Sequence, residues 1–356
     1  MATPFVSVLI DTYNHERFIE EALASVLAQD YPVEAREIIV VDDGSTDRTP
    51  EILRRFESQA KILRKPNGGQ ASAFNFGIPH CKGEIVTFLD GDDWWAPNKI
   101  SAVVAAFEAN PTVGLVGHSI TEVLNDCVRR SELVRESPQF RIDSVAGART
   151  FRLRKSFLGT SRSAYRRELL QRIGPIPEAL VIEADEYLFT LGAYFSEVLL
   201  LRDPLTFYRV QGQNLFLLGD GDLRSLRRRY DVLVALANSL RERFAAEQVP
   251  APIARAVVET IEVEAGFDRL FLYGGKPWET VKLELDNYRI MHEGASLFRR
   301  LVKSASLFPA FFLPPKNYFA LRRKLAANSI YRKARAKLFP QMAPKHVDRV
   351  GQWGAL

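Results

Sequence analysis

The first 120 residues alternate short apolar runs with stretches whose apolar residues recur at helical spacing. The apolar runs are typical of buried strands, and they cover residues 5–10, 37–41, 62–63, 84–89 and 113–120. Helical spacing is found over residues 18–27, 46–56, 71–78 and 97–107. This order predicts an α/β fold with a mainly parallel sheet and right-handed crossovers.

The pattern changes after residue 120. Helices are predicted over 166–173 and 186–194 within a less regular α+β stretch, and residues 223–291 are mostly helical. We therefore divide the chain into residues 1–216 with a subdivision at 120, a helical region over 217–293 and a basic amphipathic tail over 294–356.

Polar clusters follow three of the apolar runs, at Asp11–Asn14, Asp42–Ser45 and Asp90–Asp93. In such sheets ligands bind beyond the carboxyl ends of the strands, so we expect the clusters to meet in one crevice. Repulsion within the third cluster is relieved by a divalent cation such as Mg²⁺ or Mn²⁺. A turn with a helix cap, such as Asp93 before the helix at Pro97, is the plainer explanation, but capping requires one acid only.

Four segments of the chain resemble the nucleotide-sugar domain of family 2 GT-A glycosyltransferases. They occur in the expected order and read VSVLIDTYNHERFIEEALASVLAQDYP, EIIVVDDGSTDRT, NGGQASAFNFGI and GEIVTFLDGDDWWAP. GTSRSAYRRELLQRIGPIPE, IEADEYLF and YRVQGQNLF extend a weaker resemblance to about residue 216. The resemblance implies a GT-A catalytic domain over 1–216, with a nucleotide-sugar half and an acceptor half. It also implies transfer of a sugar from a nucleoside diphosphate, UDP being favoured, to a hydroxyl group with inversion.

The resemblance also assigns site residues. Nucleotide-sugar contacts are expected from Asp11, Tyr13, Asn14, Glu16, Asp43, Asn67, Gly68, Gly69, Asn75, Asp90 and Gly91. Asp43 is expected at the uracil ring, while Glu16 is equally explained as an acid in the first turn of a helix. Asp92, together with Asp90, is the expected ligand of Mn²⁺ or Mg²⁺, and Asp93 either supports that site or only caps a helix. The cation would stabilise the leaving diphosphate as a Lewis acid.

Inverting transfer requires a base for the acceptor hydroxyl. The resemblance places it in IEADEYLF, where Asp185 is the expected base and Glu183 or Glu186 the alternatives. Taken alone, this segment is better explained by acids at a helix N-terminus, and the upstream motifs reverse that preference. In YRVQGQN, Gln211 replaces the histidine of the family, so Gln211 and Arg209 are expected to support the diphosphate or the metal, with lower metal affinity.

The formal net charge of +5 is concentrated in the tail, where residues 294–347 contain twelve Lys and Arg and no Asp or Glu. Aromatic and aliphatic residues interleave with the basic ones over 296–340, which favours an anionic membrane surface that carries a lipid-linked glycan acceptor. Nucleic acid is the less favoured partner, although the composition also suits it. A basic helical face packed on the rest of the chain is a third explanation.

Other observations narrow the class of protein. No run of 18 apolar residues and no signal peptide is found, and two cysteines favour a reducing compartment, so we expect a cytoplasmic enzyme peripheral to the inner face of the membrane. No GxGxxG follows the first strand, which argues against a dinucleotide oxidoreductase. The QxxRW signature of processive synthases is absent too. This absence favours addition of one or a few sugars in polysaccharide or glycoconjugate synthesis. A catalytically inactive glycosyltransferase-like binding protein is the alternative, suggested by Gln211.

Overall fold

A computed structural model of the chain describes residues 3–124, 128–135, 137–210, 223–291 and 307–327. The chain divides into two compact units, Met1–Leu217 with Gln248–Ile253 and Leu218–Glu247 with Ala254–Leu356. Gln211 and the tail segments 294–306 and 328–356 lie outside the described residues, so what the sequence predicts for them stays a prediction.

Ten strands of the described residues form one sheet in the first unit. They are β1 Val6–Thr12, β2 Arg36–Asp42, β3 Lys61–Arg64, β4 Ile85–Asp90, β5 Trp94–Trp95, β6 Val113–Leu124, β7 Val128–Glu132, β8 Gln139–Phe140, β9 Ser163–Arg166 and β10 Glu197–Val210. The helices between them are α1 Ile19–Leu27, α2 Thr49–Arg54, α3 Gln70–Gly77, α4 Lys99–Ala109, α5 Val145–Arg154, α6 Arg167–Ile173 and α7 Ala184–Phe195. The predicted α/β class is confirmed.

The strands lie in the order β3-β2-β1-β4-β9-β6-β10-β5, with β7 beside β6 and β8 beside β10. The first four are parallel, as are β6 and β10, whereas β9 runs antiparallel between β4 and β6. The sequence pattern did not reveal β9 or β10. β9 has four residues only, and the alternation of β10 is interrupted where the exposed Arg202, Asp203 and Pro204 shift its register against β6.

Strands β1, β2 and β4 of the parallel part are buried on both faces, because helices cover both sides of such a sheet. Val8 and Ile10 of β1 are fully buried and belong to the same core as Val40 of β2, Leu23 of α1 and Ile100 of α4. This packing explains why the strands appear in the sequence as nearly continuous apolar runs. It also fixes the ends of the strands, where the polar clusters begin.

The register of the parallel strands brings the polar clusters together. Asp11 at the end of β1 pairs with Asp90 at the end of β4, and Thr12 pairs with Asp42 at the end of β2. The carboxyl ends of three strands that are distant in the sequence therefore share one edge of the sheet, as the sequence predicted.

Helices form the second unit. The helices that follow β10 are α8 Leu223–Ala246, α9 Ala251–Tyr273, α10 Pro277–Met291, α11 Phe308–Phe312 and α12 Pro315–Ala327. Phe267 of α9 packs edge-on against Phe319 of α12 in the apolar core of this unit. None of the helices in the described part of the chain is long and apolar enough to span a membrane.

Candidate functional site

Four aspartates, Asp11, Asp90, Asp92 and Asp93, cluster where β1 and β4 end. The turn after β4 is held against β1 because the Gly91 amide donates a hydrogen bond of 2.9 Å to the Asp11 carbonyl oxygen. A Cβ atom on Gly91 would lie 2.6 Å from Thr12 Oγ1, so a residue without a side chain permits this close approach. The packing of the turn therefore explains why glycine occupies position 91.

Burial and mutual repulsion raise the pKa of three of these carboxyl groups, those of Asp11, Asp90 and Asp93. Burial, reinforced by the charges of the neighbouring aspartates, raises the pKa of Asp11 to about 8 and that of Asp93 to about 7. The same causes raise the pKa of Asp90 well above its ordinary value. Asp11 Oδ1 and Asp93 Oδ2 are buried and have no hydrogen-bond partner. The cluster therefore holds two buried carboxylate oxygens that no donor satisfies.

The cluster fits a divalent cation that is shared with a bound phosphate. No three His, Cys, Asp or Glu side chains of the described residues are arranged to hold a metal by themselves. Mg²⁺ commonly takes only one or two protein carboxylates and completes its shell with water and substrate phosphates. Asp90 and Asp92 are both half-buried, so the pair is partly open to solvent. Hard carboxylate oxygens suit Mg²⁺ or Mn²⁺.

Arg209 on β10 is hydrogen-bonded to the turn that carries Asp92 and Asp93. Its backbone amide donates to Asp93 Oδ1 at 2.8 Å and its Nε donates to the Asp92 carbonyl oxygen at 3.0 Å. Its terminal nitrogen bonds Glu21 of α1 at 2.5 Å, and its guanidinium stacks over the rings of Phe18 and Trp94. In this structure Arg209 therefore secures the aspartate turn, and the predicted diphosphate contact stays a prediction.

The alternative explanation of Asp93 as a helix cap is wrong. The next helix, α4, begins at Lys99 after Asn98, five residues beyond Asp93, and its N-cap makes no side-chain hydrogen bond. The Asp93 carboxylate accepts the amide of Arg209 instead. This acid belongs to the turn that carries Asp92.

Asp43, which directly follows β2, holds a glycine-containing turn. Its carboxylate accepts hydrogen bonds from Lys65 Nζ at 2.6 Å, from the Gly68 amide at 3.0 Å and from the Gly69 amide at 2.7 Å. Gly69 has a φ of +82°, and a Cβ there would lie 2.6 Å from the Val181 carbonyl oxygen. Asp43 is buried, so its expected contact with a uracil ring would have to share the oxygens with these donors.

Asn67 and Asn75 differ in their surroundings. Asn67 is exposed beside Gly68, whereas the Asn75 amide bonds both backbone groups of Ile176, donating at 2.7 Å and accepting at 2.8 Å. Asn75 therefore ties α3 to the segment before α7. Its expected contact with the ribose or diphosphate stays a prediction.

The loop after β1 is tied to the loop after β2. Asn14, at a φ of +56°, accepts the Thr46 amide at 2.8 Å, and Glu16 accepts the Arg48 amide at 3.0 Å. Tyr13 between them is exposed. Tyr13 and Asn14 are both exposed, and Asn14 and Glu16 hold the second loop in place.

Asp185 lies in the first turn of α7. Its Oδ2 accepts from the backbone amide and the hydroxyl of Thr160 at 3.0 and 3.2 Å, and its Oδ1 accepts the Glu186 amide at 2.8 Å. Burial raises the pKa of Asp185, and the charge of Glu186 adds to the effect. Glu186 is paired with Lys155 at 2.5 Å, and Glu183 precedes the helix at a φ of +62°.

Residues 7–174 match the family model described as glycosyl transferase family 2. The chain carries a glycosyl transferase family 2 domain. The resemblance drawn from four sequence motifs is thereby confirmed. The glycosyltransferase domain includes the three polar clusters that meet at the carboxyl edge of the sheet, while Asp185 and Arg209 lie beyond the matched residues.

The glycosyltransferase domain has relatives in sequence and in fold. An uncharacterized glycosyltransferase of Nostoc sp. is 35% identical over 214 residues, which are 59% of this chain and 66% of that protein. The match thus spans just under two thirds of the relative's length.

Two solved structures have a similar fold. S. aureus TarS 1–349 in complex with UDP has a TM-score of 0.52 and 19% identity, over 89% of this chain and 91% of that one. The mannosyltransferase PcManGT from Pyrobaculum calidifontis, in complex with GDP-Man and Mn²⁺, has a TM-score of 0.52 and 22% identity, over 94% and 83%. At these identities the likeness establishes the fold alone.

Two residues of the glycosyltransferase domain that the sequence analysis did not single out reach the site. Thr160 bonds Asp185, and the Ser161 hydroxyl donates to Asp90 Oδ2 at 3.1 Å. In the sequence they belong to an ordinary polar segment, GTSR, and their position directly before β9 was hidden because β9 itself was not predicted.

Aromatic and histidine residues near the site are engaged in packing. Trp94 stacks on Phe207 with ring centroids 5.2 Å apart, and Trp95 is buried beneath Lys99. His118 is buried in β6, with Nδ1 2.7 Å from the Ser119 carbonyl oxygen. These contacts give the three residues structural roles within the glycosyltransferase domain.

Proposed function

We propose that the chain transfers a sugar from a nucleoside-diphosphate sugar to a hydroxyl group of a glycan acceptor, with inversion. The observation that carries the proposal is the aspartate cluster at the carboxyl edge of a family 2 domain, where two buried carboxylate oxygens have no hydrogen-bond partner. The complexes of TarS with UDP and of PcManGT with GDP-Man and Mn²⁺ support a nucleotide-sugar donor. UDP is the favoured carrier.

Asp92 and Asp90 would hold Mn²⁺ or Mg²⁺. The bound cation supplies Lewis-acid stabilisation of the leaving diphosphate. Asp43 shapes the nucleobase side of the pocket through the turn that it holds, and Arg209 keeps the Asp92 turn in position. The protein's own task on the donor side is therefore to orient the nucleotide and to present one carboxylate pair to its phosphates.

Asp185 is the proposed base. In a single displacement the acceptor hydroxyl attacks opposite the diphosphate and loses its proton to a carboxylate. A raised pKa brings the basicity of Asp185 closer to neutral pH, where a general base is most efficient. Glu186 is less suited because Lys155 already neutralises it.

The donor site is tested by thermal unfolding with UDP, GDP and dTDP, each with and without Mn²⁺. A nucleotide at about 100 times its dissociation constant should stabilise the protein by roughly 2.7 kcal/mol. Asp92→Asn should lose the metal-dependent part of the shift, while Asp203→Asn, an exposed aspartate of β10, serves as the matched control. No shift with any nucleotide would contradict the proposed donor site.

Transfer is tested separately with Asp185→Asn. This variant should retain the nucleotide shift of the wild-type protein but lose at least about 100-fold in kcat, since a general base contributes about 10²–10⁴-fold. A wild-type protein that binds the nucleotide with Mn²⁺ yet neither transfers nor hydrolyses the sugar would instead be a catalytically inactive binding protein.

We further propose that the second unit docks the enzyme on an anionic membrane, at the inner face of the cytoplasmic membrane, where a lipid-linked acceptor lies. Phe308, Phe311 and Phe312 of α11 are 65%, 53% and 69% exposed. The adjoining helix α12 buries Tyr318 and Phe319 and presents Lys316 and Lys324 to solvent. Exposed aromatic rings beside basic residues suit the surface of an anionic bilayer.

Flotation with vesicles of phosphatidylglycerol and phosphatidylcholine tests this docking. Replacing the three exposed phenylalanines by serine should release the protein from anionic vesicles, whereas Trp278→Ser, which changes another exposed aromatic residue of the second unit, should not. Unchanged flotation of the triple variant would refute the role of α11. Binding of a fluorescent oligonucleotide with no vesicle binding would favour nucleic acid as the partner.

A further inference from the structure

A single turn of backbone contacts both sides of the proposed catalytic centre. Residues Thr160–Arg162 form one 3₁₀ turn between Gly159 and β9. Thr160 and Ser161 are 3% and 2% exposed, although both are polar. The Thr160 side chain bonds Asp185 of α7, and the Ser161 side chain bonds Asp90 of β4.

Thr160 binds the proposed base. Both its backbone amide and its hydroxyl donate to Asp185 Oδ2, and Gln70 Nε2 donates to the Thr160 hydroxyl oxygen at 3.0 Å. Gln70 also accepts the Ala184 amide at 2.9 Å, at the first residue of α7. The orientation of the Asp185 carboxylate is therefore set by the turn and by the helix start together.

Ser161 binds the metal-side acid. Its hydroxyl donates to Asp90 Oδ2 at 3.1 Å and accepts the Asp90 backbone amide at 3.0 Å. These two bonds connect the backbone and the carboxylate of Asp90 through one atom. The rotamer of Asp90 thus depends on where the turn lies.

The turn is anchored from beneath by buried donors. The Ser161 carbonyl oxygen accepts Lys99 Nζ at 2.8 Å and the Thr206 hydroxyl at 2.6 Å. Lys99 is fully buried, and its amine lies 4.0 Å from the centre of the Trp95 ring. Arg162 extends the anchorage through its ion pair with Glu132 at 3.1 Å. Because α4, β10 and β7 all contribute, the turn has little freedom to move.

We propose that Thr160 and Ser161 are positioning residues that fix the proposed base Asp185 and the metal-side Asp90 relative to each other. This inference depends on the proposed transfer function. In-line displacement requires the attacking hydroxyl and the leaving diphosphate to be aligned, and a misplacement of about 1 Å costs on the order of 100-fold in rate. One rigid turn that touches both acids keeps that alignment when either partner is bound.

Thr160→Val tests the half of the turn that faces the base. Valine keeps the shape and the backbone amide but removes the hydroxyl, so kcat should fall by about 10- to 100-fold while the donor KM and the UDP affinity stay unchanged. The lost donor also stabilised the carboxylate form, so the acidic limb of the kcat–pH profile should move to higher pH. Asp11, Asp90, Tyr165 and Glu186 are the titratable groups that interact with Asp185, and the variant leaves them unchanged. Thr160→Ser, which restores the hydroxyl, should recover both kcat and the profile.

Ser161→Ala tests the other half. Loss of the hydroxyl should raise the Mn²⁺ concentration needed for half-maximal activity by several-fold, and Ser7→Ala, a buried serine of β1 that does not contact the turn, is the control. Thermal unfolding of each variant without ligand establishes that it is folded.

Two results would overturn the inference. In one, Thr160→Val and Ser161→Ala keep wild-type kcat and metal requirement within about twofold. In the other, both Thr160→Val and Thr160→Ser lose UDP binding together with kcat, which indicates a merely structural role. A wild-type protein without nucleotide binding or transfer would instead refute the proposed function, so the two failures are distinguishable.

Discussion

The bonds between Arg209 and the aspartate turn lead to a prediction that distinguishes two roles for this residue. Arg209 either positions the turn or contacts the diphosphate. Arg209→Met keeps the length of the side chain and removes the guanidinium. The backbone bond to Asp93 remains, whereas the bonds to the Asp92 carbonyl and to Glu21 and the stacking on Phe18 and Trp94 are lost.

The contacts allow the cost to be estimated. A charged donor to a carbonyl contributes about 1.5–3 kcal/mol, and each cation–π contact about 0.5–2 kcal/mol. The pair with Glu21 contributes less than about 1 kcal/mol, because the Glu21 side chain is 52% exposed. These terms share one side chain and are not additive, so we expect a total loss of roughly 3–4 kcal/mol in the free energy of unfolding of the first unit.

Urea unfolding followed by tryptophan fluorescence measures this loss, with Glu21→Gln as the control that should lose less than about 1 kcal/mol. Titration with UDP and Mn²⁺ then distinguishes the roles. If Arg209 positions the turn, its removal raises the Mn²⁺ requirement and leaves the metal-free UDP affinity within about twofold. A variant of nearly wild-type stability that loses about tenfold or more in metal-free UDP affinity would refute this reasoning and establish Arg209 as a diphosphate contact.

Three further predictions follow from buried groups. Burial lowers the pKa of His118 well below 6.5, so stability should fall as the pH drops below about 6.5, by up to about 1.4 kcal/mol per pH unit, and His118→Asn should make the dependence shallower in urea unfolding between pH 5 and 8. Asp268→Ala should cost about 3–5 kcal/mol because it leaves Arg229 buried without its carboxylate, whereas Arg229→Met with Asp268→Leu should restore most of that stability. Asp43→Asn should destabilise its turn by about 1–3 kcal/mol in thermal unfolding, since an amide replaces one of two acceptor oxygens, and Lys65→Met should cost less.

Each of these has an outcome that contradicts it. An unchanged pH slope in the histidine variant would mean that His118 is charged in the folded protein or that its burial is not maintained. A double variant as unstable as Asp268→Ala would show that packing, not the charge pair, governs the site. An Asp43→Asn protein of wild-type stability would mean that the glycine amides do not depend on the carboxylate.

The parallel part of the fold was predictable because β1, β2 and β4 are buried on both faces and helices such as α1 are amphipathic. The parallel register of β1 and β4 places Asp11 beside Asp90, so these residues could be expected to cluster although they are about 80 positions apart in the sequence. β10 was not predictable from local pattern, since Asp203 and Pro204 interrupt its apolar residues at a register shift. Local sequence cannot reveal that a strand continues past such an interruption.

The sequence predicted which residues belong to the site better than it predicted what those residues contact. The likeness to family motifs selects Asp43, Asn75 and Arg209, but each bonds residues that tertiary folding alone brings near, such as Ile176 for Asn75. Thr160 and Ser161 were missed because short polar side chains are common in turns. Only the placement of their turn between α7 and β4 gives them a specific task.

The position of β10 has a consequence for how the protein is made. β6 pairs with β10 along nearly its whole length, yet β10 is synthesised more than 70 residues after β6 and after the end of the family match at residue 174. The parallel strands at the N-terminus can form early, whereas this pairing has a high contact order and is slow. Until it forms, β6 is an open edge that invites pairing with another chain. A nascent chain halted near residue 174 would therefore be prone to aggregate. The edge of β6 stays available for such pairing until the chain has been synthesised to residue 210, where β10 ends.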